Sequence, residues 1–153
     1  MENKGQKKLS RRELLAKLSP LGRVEQDAAK CTGCGLCARE CPTGALEALT
    51  DAEAGTFRLL FKHGVCVACG VCVKICPEKA LSVERRLEPE SLGRVTILFE
   101  DELIKCSECG APVGPRRMVE KMRSKVKTVR SELCIACKSQ SWYSLVKDNG
   151  RHP

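Results

Sequence analysis

Twelve cysteines in 153 residues carry the chemistry of this chain. Eight of them fall in two copies of one pattern, C-x2-C-x2-C-x3-C-P: Cys31, Cys34, Cys37 and Cys41 before Pro42, and Cys66, Cys69, Cys72 and Cys76 before Pro77. Thiolates are soft metal ligands, and this run is a bacterial spacing for iron–sulfur ligation. Three thiolates separated by two residues each wrap a compact loop around one corner of a cuboidal cluster. Gly33, Gly35 and Gly70 let the backbone approach the sulfurs, and Pro42 and Pro77 suit the first position of a short helix. A disulfide framework is the plain alternative. Cysteines two residues apart rarely reach bridge geometry, and a repeated run has no need of it.

The other four cysteines form C-x2-C-x24-C-x2-C, with Cys106 and Cys109 in one knuckle and Cys134 and Cys137 in the other. Four thiolates gathered from the two ends of an excursion make a tetrahedral site of the zinc-ribbon kind, although the excursion exceeds the usual ribbon length. Rubredoxin-type iron needs the same four sulfurs, but Ile135, Ala136 and Lys138 stand where Pro and Gly usually occur. A third iron–sulfur cluster is the main rival to one Zn2+. The absence of a third closely spaced cysteine favours zinc.

These ligands need elements to hold them. Each cysteine loop is expected to lead into a short helix, Pro42–Ala48 and Pro77–Ala80, within two βαβ-like halves. Thr56–Lys62 reads as a strand with Phe57, Leu59 and Phe61 on one face, placed to shield a cluster or pack the sheet. His63 reads as an ordinary loop residue. Glu84–Arg94 has linker composition, and Val95–Phe99 reads as a strand. Between the last two knuckles, Met118, Met122 and Val126 share one helical face, while Arg116, Arg117, Lys121, Arg123, Lys125 and Lys127 take much of the rest. Trp142 and Tyr143 suit the cover of a small metal core better than stacking on a base. Near the start, Leu14, Leu15 and Leu18 lie on one face of an amphipathic helix, with Ser10 and Glu13 in a capping-box pattern and Ser19-Pro20 as its stop.

Residues 28–86 resemble bacterial-type two-cluster ferredoxins, the likeness resting on the two cysteine runs. The resemblance implies two [4Fe-4S] clusters in which the fourth cysteine of each run crosses to the other cluster. Cluster one would be held by Cys31, Cys34, Cys37 and Cys76, and cluster two by Cys66, Cys69, Cys72 and Cys41. The fold expected is α+β: a basic arm over 1–27, a two-cluster ferredoxin domain over 28–87, a linker over 88–94, and a zinc-ribbon-like module with one basic helix over 95–153. The same resemblance points to an iron–sulfur subunit or dedicated ferredoxin of an oxidoreductase complex, such as a hydrogenase, a formate dehydrogenase or another molybdenum or tungsten enzyme. Its partners would be redox proteins.

No nucleophile–base constellation or dinucleotide fingerprint is present, and the chain has two histidines, so electron carriage rather than catalysis is expected. Aromatic content of 3% argues against a large apolar core, so metals must contribute to folding. The formal charge of +8 counts the cysteines as neutral; thiolate ligation of two clusters and one zinc ion brings it to about +2. Both flanks are basic around a core that metal charge makes negative. That layout suits docking on acidic proteins more than on nucleic acid, which leaves a redox-sensing nucleic-acid-binding regulator as the alternative function. Ser10-Arg11-Arg12-Glu13-Leu14-Leu15 resembles a twin-arginine export signal, but the charged stretch after it argues against export. An assembly factor for an exported oxidoreductase is a further alternative. Reduced thiolate sites favour the cytoplasm, and no run is long enough for a membrane span.

Overall fold

The computed structural model describes residues 21–86, 89–126 and 132–140. The N-terminal helix, the Arg11-Arg12 pair, Lys127, Trp142 and Tyr143 fall outside them. Two strand–helix–strand halves open the fold. The first is β1 (Gly22–Gln26), α1 (Leu36–Arg39) and β2 (Leu46–Asp51), and the second is β3 (Thr56–Lys62), α2 (Val71–Ile75) and β4 (Leu81–Arg85). The halves interlock: β1 pairs antiparallel with β4, and β2 with β3. β5 (Val95–Lys105) and β6 (Pro112–Pro115) extend the β2–β3 pair into a four-stranded sheet, and α3 (Arg116–Lys125) follows β6 directly. The architecture is α+β.

Period-two alternation sets β3, whose Phe57, Leu59 and Phe61 are all buried and whose intervening residues are half-buried. With Phe99 of β5 they place all three phenylalanines of the chain in one core. Leu46, Leu81, Val24 and Leu103 complete it, together with Cys37, Cys66 and Cys72. These cysteines are therefore part of the apolar core.

The expected helices at Pro42–Ala48 and Pro77–Ala80 are not formed. Helical turns lie inside the cysteine runs instead, and Leu46–Ala48 belongs to β2, with Leu46 opposite Phe61 and Ala48 opposite Leu59. Gly35 and Gly70, at φ 72° and 74°, turn each chain from its knuckle into the helix that carries the third cysteine. The prolines then act as stops, for Cys76 ahead of Pro77 is forced to extended backbone at φ −69°, ψ 111°. β5 continues six residues beyond the expected Val95–Phe99. Although it begins the segment assigned to the second module, it pairs with β3 from Thr56↔Glu102 to Lys62↔Val95. One sheet thus crosses the 88–94 connection, where Pro89–Ser91 form a single 3₁₀ turn. Among the described residues no helix is long and apolar enough to cross a membrane.

Candidate metal centres

Cys31, Cys34, Cys37 and Cys76 line one hollow between α1, the β3 face and the start of β4. Its walls include Phe57, Leu59, Ala80 and Leu81, and it holds about 390 Å³ of atom-free space counted out to the solvent at its mouth. Burial pushes the Cys37 thiol up to about 12, with Cys31 and Cys34 beside it adding to the rise. Burial raises Cys31 as well. Four thiolates in an apolar hollow repel one another and lose hydration, so they need a compact, strongly cationic partner. Backbone donors already face the sulfurs: Gly33 N–H lies 3.4 Å from Cys31 Sγ, and Ala80 N–H lies 3.3 Å from Cys76 Sγ. The donor set and its enclosure fit an iron–sulfur core.

The other four cysteines of the two runs form a second group. Cys66 and Cys72 both lie within electrostatic reach of Cys69 and Cys41, and burial raises both thiols. Burial also acts to raise Cys41, but backbone N–H groups of Leu46, Thr43 and Ala45 and the Thr43 hydroxyl outweigh it, leaving that thiol lowered. Gly22 closes this knuckle, its N–H donating to the Cys66 carbonyl at 2.8 Å. A Cβ there would stand 2.9 Å from Cys66 Sγ. Cys69 is exposed, as are Val67, Val71 and Ile75 of the same run.

Residues 30–80 match the family model of the 4Fe-4S dicluster domain. The match takes in both cysteine runs with all eight of their cysteines, and it covers about a third of the chain. No curated protein matches the chain. The matched span takes in α1, β2, β3 and α2 and leaves β1, β4, β5, β6, α3 and the last four cysteines outside it.

Those four cysteines converge. Cys106 and Cys109 occupy the turn between β5 and β6, and Cys134 and Cys137 stand at the start of the helical residues 135–140. Their sulfurs all lie within 4.8 Å of one another, with Cys109 Sγ and Cys134 Sγ 3.6 Å apart. A tetrahedral ion with metal–sulfur bonds of about 2.3 Å sets its ligands about 3.8 Å apart, so this group has the spacing of a single ion. Gly110, at φ 73°, returns its N–H to the Cys106 carbonyl at 2.9 Å and shapes the knuckle. The Cys134 N–H, 3.3 Å from Cys106 Sγ, leads a set of backbone donors that lower Cys106 to about 6. Cys137 is raised, chiefly because it shares hydrogen bonds with Cys109 and Cys134.

This four-cysteine module lies against the hollow of Cys31, Cys34, Cys37 and Cys76. A Cβ on Gly33 would meet Phe99 Cε1 at 2.8 Å and Pro115 at 3.0 Å. Arg117 stacks its guanidinium 5.7 Å from the Phe99 ring centre and donates to the Ala28 carbonyl, and Lys121 pairs with Glu78, a residue at the hollow. Arg116 pairs with Glu102, and Arg123 with Glu132. Four of the cations expected on a free basic face are thus engaged within the chain. The expected packing of α3 also changes: Val119 is its fully buried residue, whereas Met122 and Val126 are exposed. Arg117 and Lys121 engage Ala28 and Glu78, while Met122 and Val126 stand exposed. Met118 remains half-buried against Gly114. His63 Nε2 meets Thr96 Oγ1 at 2.9 Å, with its ring on the edge of Phe61. Gly22, Thr43 and Glu78 had no signal in the cysteine spacing; only the fold brings them to the ligands.

Proposed function

We propose that the protein transfers electrons through two [4Fe-4S] clusters, as an iron–sulfur subunit or dedicated ferredoxin of a larger oxidoreductase, and performs no catalysis of its own. The observation that carries this reading is the hollow shared by Cys31, Cys34 and Cys37 of one run with Cys76 of the other. It supports crossed ligation, with Cys66, Cys69, Cys72 and Cys41 as the second set. When bound, each cluster takes up and releases one electron. The chain's own residues hold the ligands, exclude water from the first centre through Phe57, Leu59 and Leu81, and leave the second open at Cys69. A redox partner then approaches on the Cys69 side, because the second module covers the first centre. The close sulfur spacing at Cys106, Cys109, Cys134 and Cys137 supports one Zn2+ rather than a third cluster, whose several ions would spread the ligands farther. The inward engagement of Arg116, Arg117, Lys121 and Arg123 weighs against nucleic acid as the partner.

Metal and sulfide analysis of anaerobically purified, full-length protein tests the reading. The expected content is about eight irons, eight acid-labile sulfides and one zinc per chain. About four irons would leave one run inactive, and about twelve would move the third site from zinc to a cluster. A folded, colourless protein without sulfide would overturn the proposal.

A further inference from the structure

The two halves of the dicluster domain close their cysteine runs alike. Cys41-Pro42-Thr43-Gly44-Ala45-Leu46 and Cys76-Pro77-Glu78-Lys79-Ala80-Leu81 share four of six residues. The fourth position has left-handed backbone in both, at φ 66° for Gly44 and 50° for Lys79, and the alanine and leucine that follow are buried in both. The backbone repeats, but the residue after each proline changes character. In the first run it is Thr43, whose neutral hydroxyl lies 3.8 Å from Cys41 Sγ. In the second it is Glu78, on the wall of the hollow that Cys31, Cys34, Cys37 and Cys76 line.

A carboxylate in that place is costly. Its side chain is only 20% exposed, the hollow beside it is walled by Phe57, Leu59 and Leu81, and the four thiolates share its sign. Lys121 compensates it, pairing its Nζ with the Glu78 carboxylate. This lysine comes from α3, outside the dicluster match. Arg117 stands one turn earlier on the same helical face, taking the Asp101 carboxylate on its backbone N–H at 2.9 Å and giving its guanidinium to the Ala28 carbonyl, while Val119 between them is fully buried. The helix is thus anchored on both sides of the chain that carries the ammonium. Arg116–Glu102 and Arg123–Glu132 join α3 to β5 and to the last knuckle, whereas Lys121–Glu78 reaches the hollow.

Building on the electron-transfer reading, we infer that through the Lys121–Glu78 pair the four-cysteine module sets the reduction potential of the first iron–sulfur centre. One electron from the redox partner makes that centre more negative, so a fixed cation at its wall favours the reduced form and a fixed anion favours the oxidised one. Glu78 alone would lower the potential, and Lys121 offsets it. Glu78 is a positioning residue as well, because it holds the ammonium at the wall. The second centre has the neutral Thr43 in the matching place and takes no charge from α3 there. One repeat thereby yields two centres of different potential.

The test is a redox titration followed by electron paramagnetic resonance on anaerobic full-length protein, with iron and sulfide measured on the same samples. The first centre is identified as the one whose signal Cys34→Ser alters. At a fixed potential Lys121→Met should lower its reduced-to-oxidised ratio about tenfold, equivalent to about 59 mV for one electron. Glu78→Gln, which keeps the side-chain shape, should raise the same ratio. Joining the two substitutions should bring it back to within about threefold of wild type. Lys125→Met makes the same charge change on an exposed part of α3 and should leave both centres in place. With full iron and sulfide, an unchanged first centre or shifts of the same sign in the two single variants would overturn the inference, since mere loosening of the module has no reason to reverse sign with the charge removed. An equal shift from Lys125→Met would overturn it too. Should Lys121→Met fail to assemble, Glu78→Gln decides alone, and the absence of a rise refutes the inference. Wild-type protein without iron and sulfide would instead overturn the electron-transfer reading, so the two failures are distinguishable.

Discussion

Gly33→Ala tests the contact between the second module and the first centre, and the chain carries its own control. Gly33 has φ 71°, and the matching position of the second run is Ala68, at φ 50°. An alanine can thus adopt the left-handed backbone of this knuckle, at about 1–2 kcal/mol. A stiffer unfolded chain returns about 0.4–1 kcal/mol, leaving a net backbone cost near 1 kcal/mol. The difference between the two positions lies in what surrounds them. At Gly33 the new methyl would stand 2.8 Å from Phe99 Cε1 and 3.0 Å from Cβ and Cγ of Pro115. Neither side chain yields readily, because Phe99 lies in the core beneath Arg117 and Pro115 is a buried ring. Overpacking of this kind adds about 1–3 kcal/mol, for a total of about 2–4 kcal/mol. Cluster proteins unfold irreversibly, so the assay is the rate at which denaturant abolishes cluster absorbance under anaerobic conditions. If the contact is broken in the transition state, Gly33→Ala accelerates that loss by about 30-fold or more. Ala68→Gly exchanges relief of strain for added chain entropy and should change the rate by less than about threefold. Equal, small effects of both substitutions would refute the packing argument.

Cys41→Ser should perturb the centre that Cys69→Ser perturbs, although Cys41 belongs to the first run; spectra showing that it disturbs the Cys31 centre alone would exclude crossed ligation. Val119→Ala removes two fully buried methyl groups, the apolar anchor of α3, and should destabilise the metal-loaded protein by about 2–3 kcal/mol in denaturant unfolding; a change below about 0.5 kcal/mol would mean that the helix is held by its ion pairs. At the four-cysteine site, the lowered Cys106 thiol is already ionised above about pH 6 and protonated below it. Metal binding should therefore release one proton fewer on the alkaline side of that pH than on the acid side, and affinity should fall with pH more steeply, by one proton, below it. Calorimetry in buffers of different ionisation enthalpy measures that count, and an unchanged count across the transition would contradict the lowered Cys106.

The sequence by itself determined the donor atoms and much of the central strand. C-x2-C spacing is local, because a knuckle two residues wide forms wherever its ends are held, and the alternation of Phe57, Leu59 and Phe61 survives in β3 because one face of an antiparallel sheet is buried. It did not determine the helices correctly. Whether Leu46–Ala48 coils or extends depended on a partner strand ten or more residues away, and pairing with β3 prevailed over the local pattern. Nor could periodicity choose between Val119 and the Met122–Val126 stripe, since both fit a helical face and the choice was made by Arg117 and Lys121 reaching across to Ala28 and Glu78. Gln26 is the plainest case. In the chain it is one polar residue in a strand, and only the fold, which sets it opposite Leu81 where β1 pairs with β4, shuts its amide off from water.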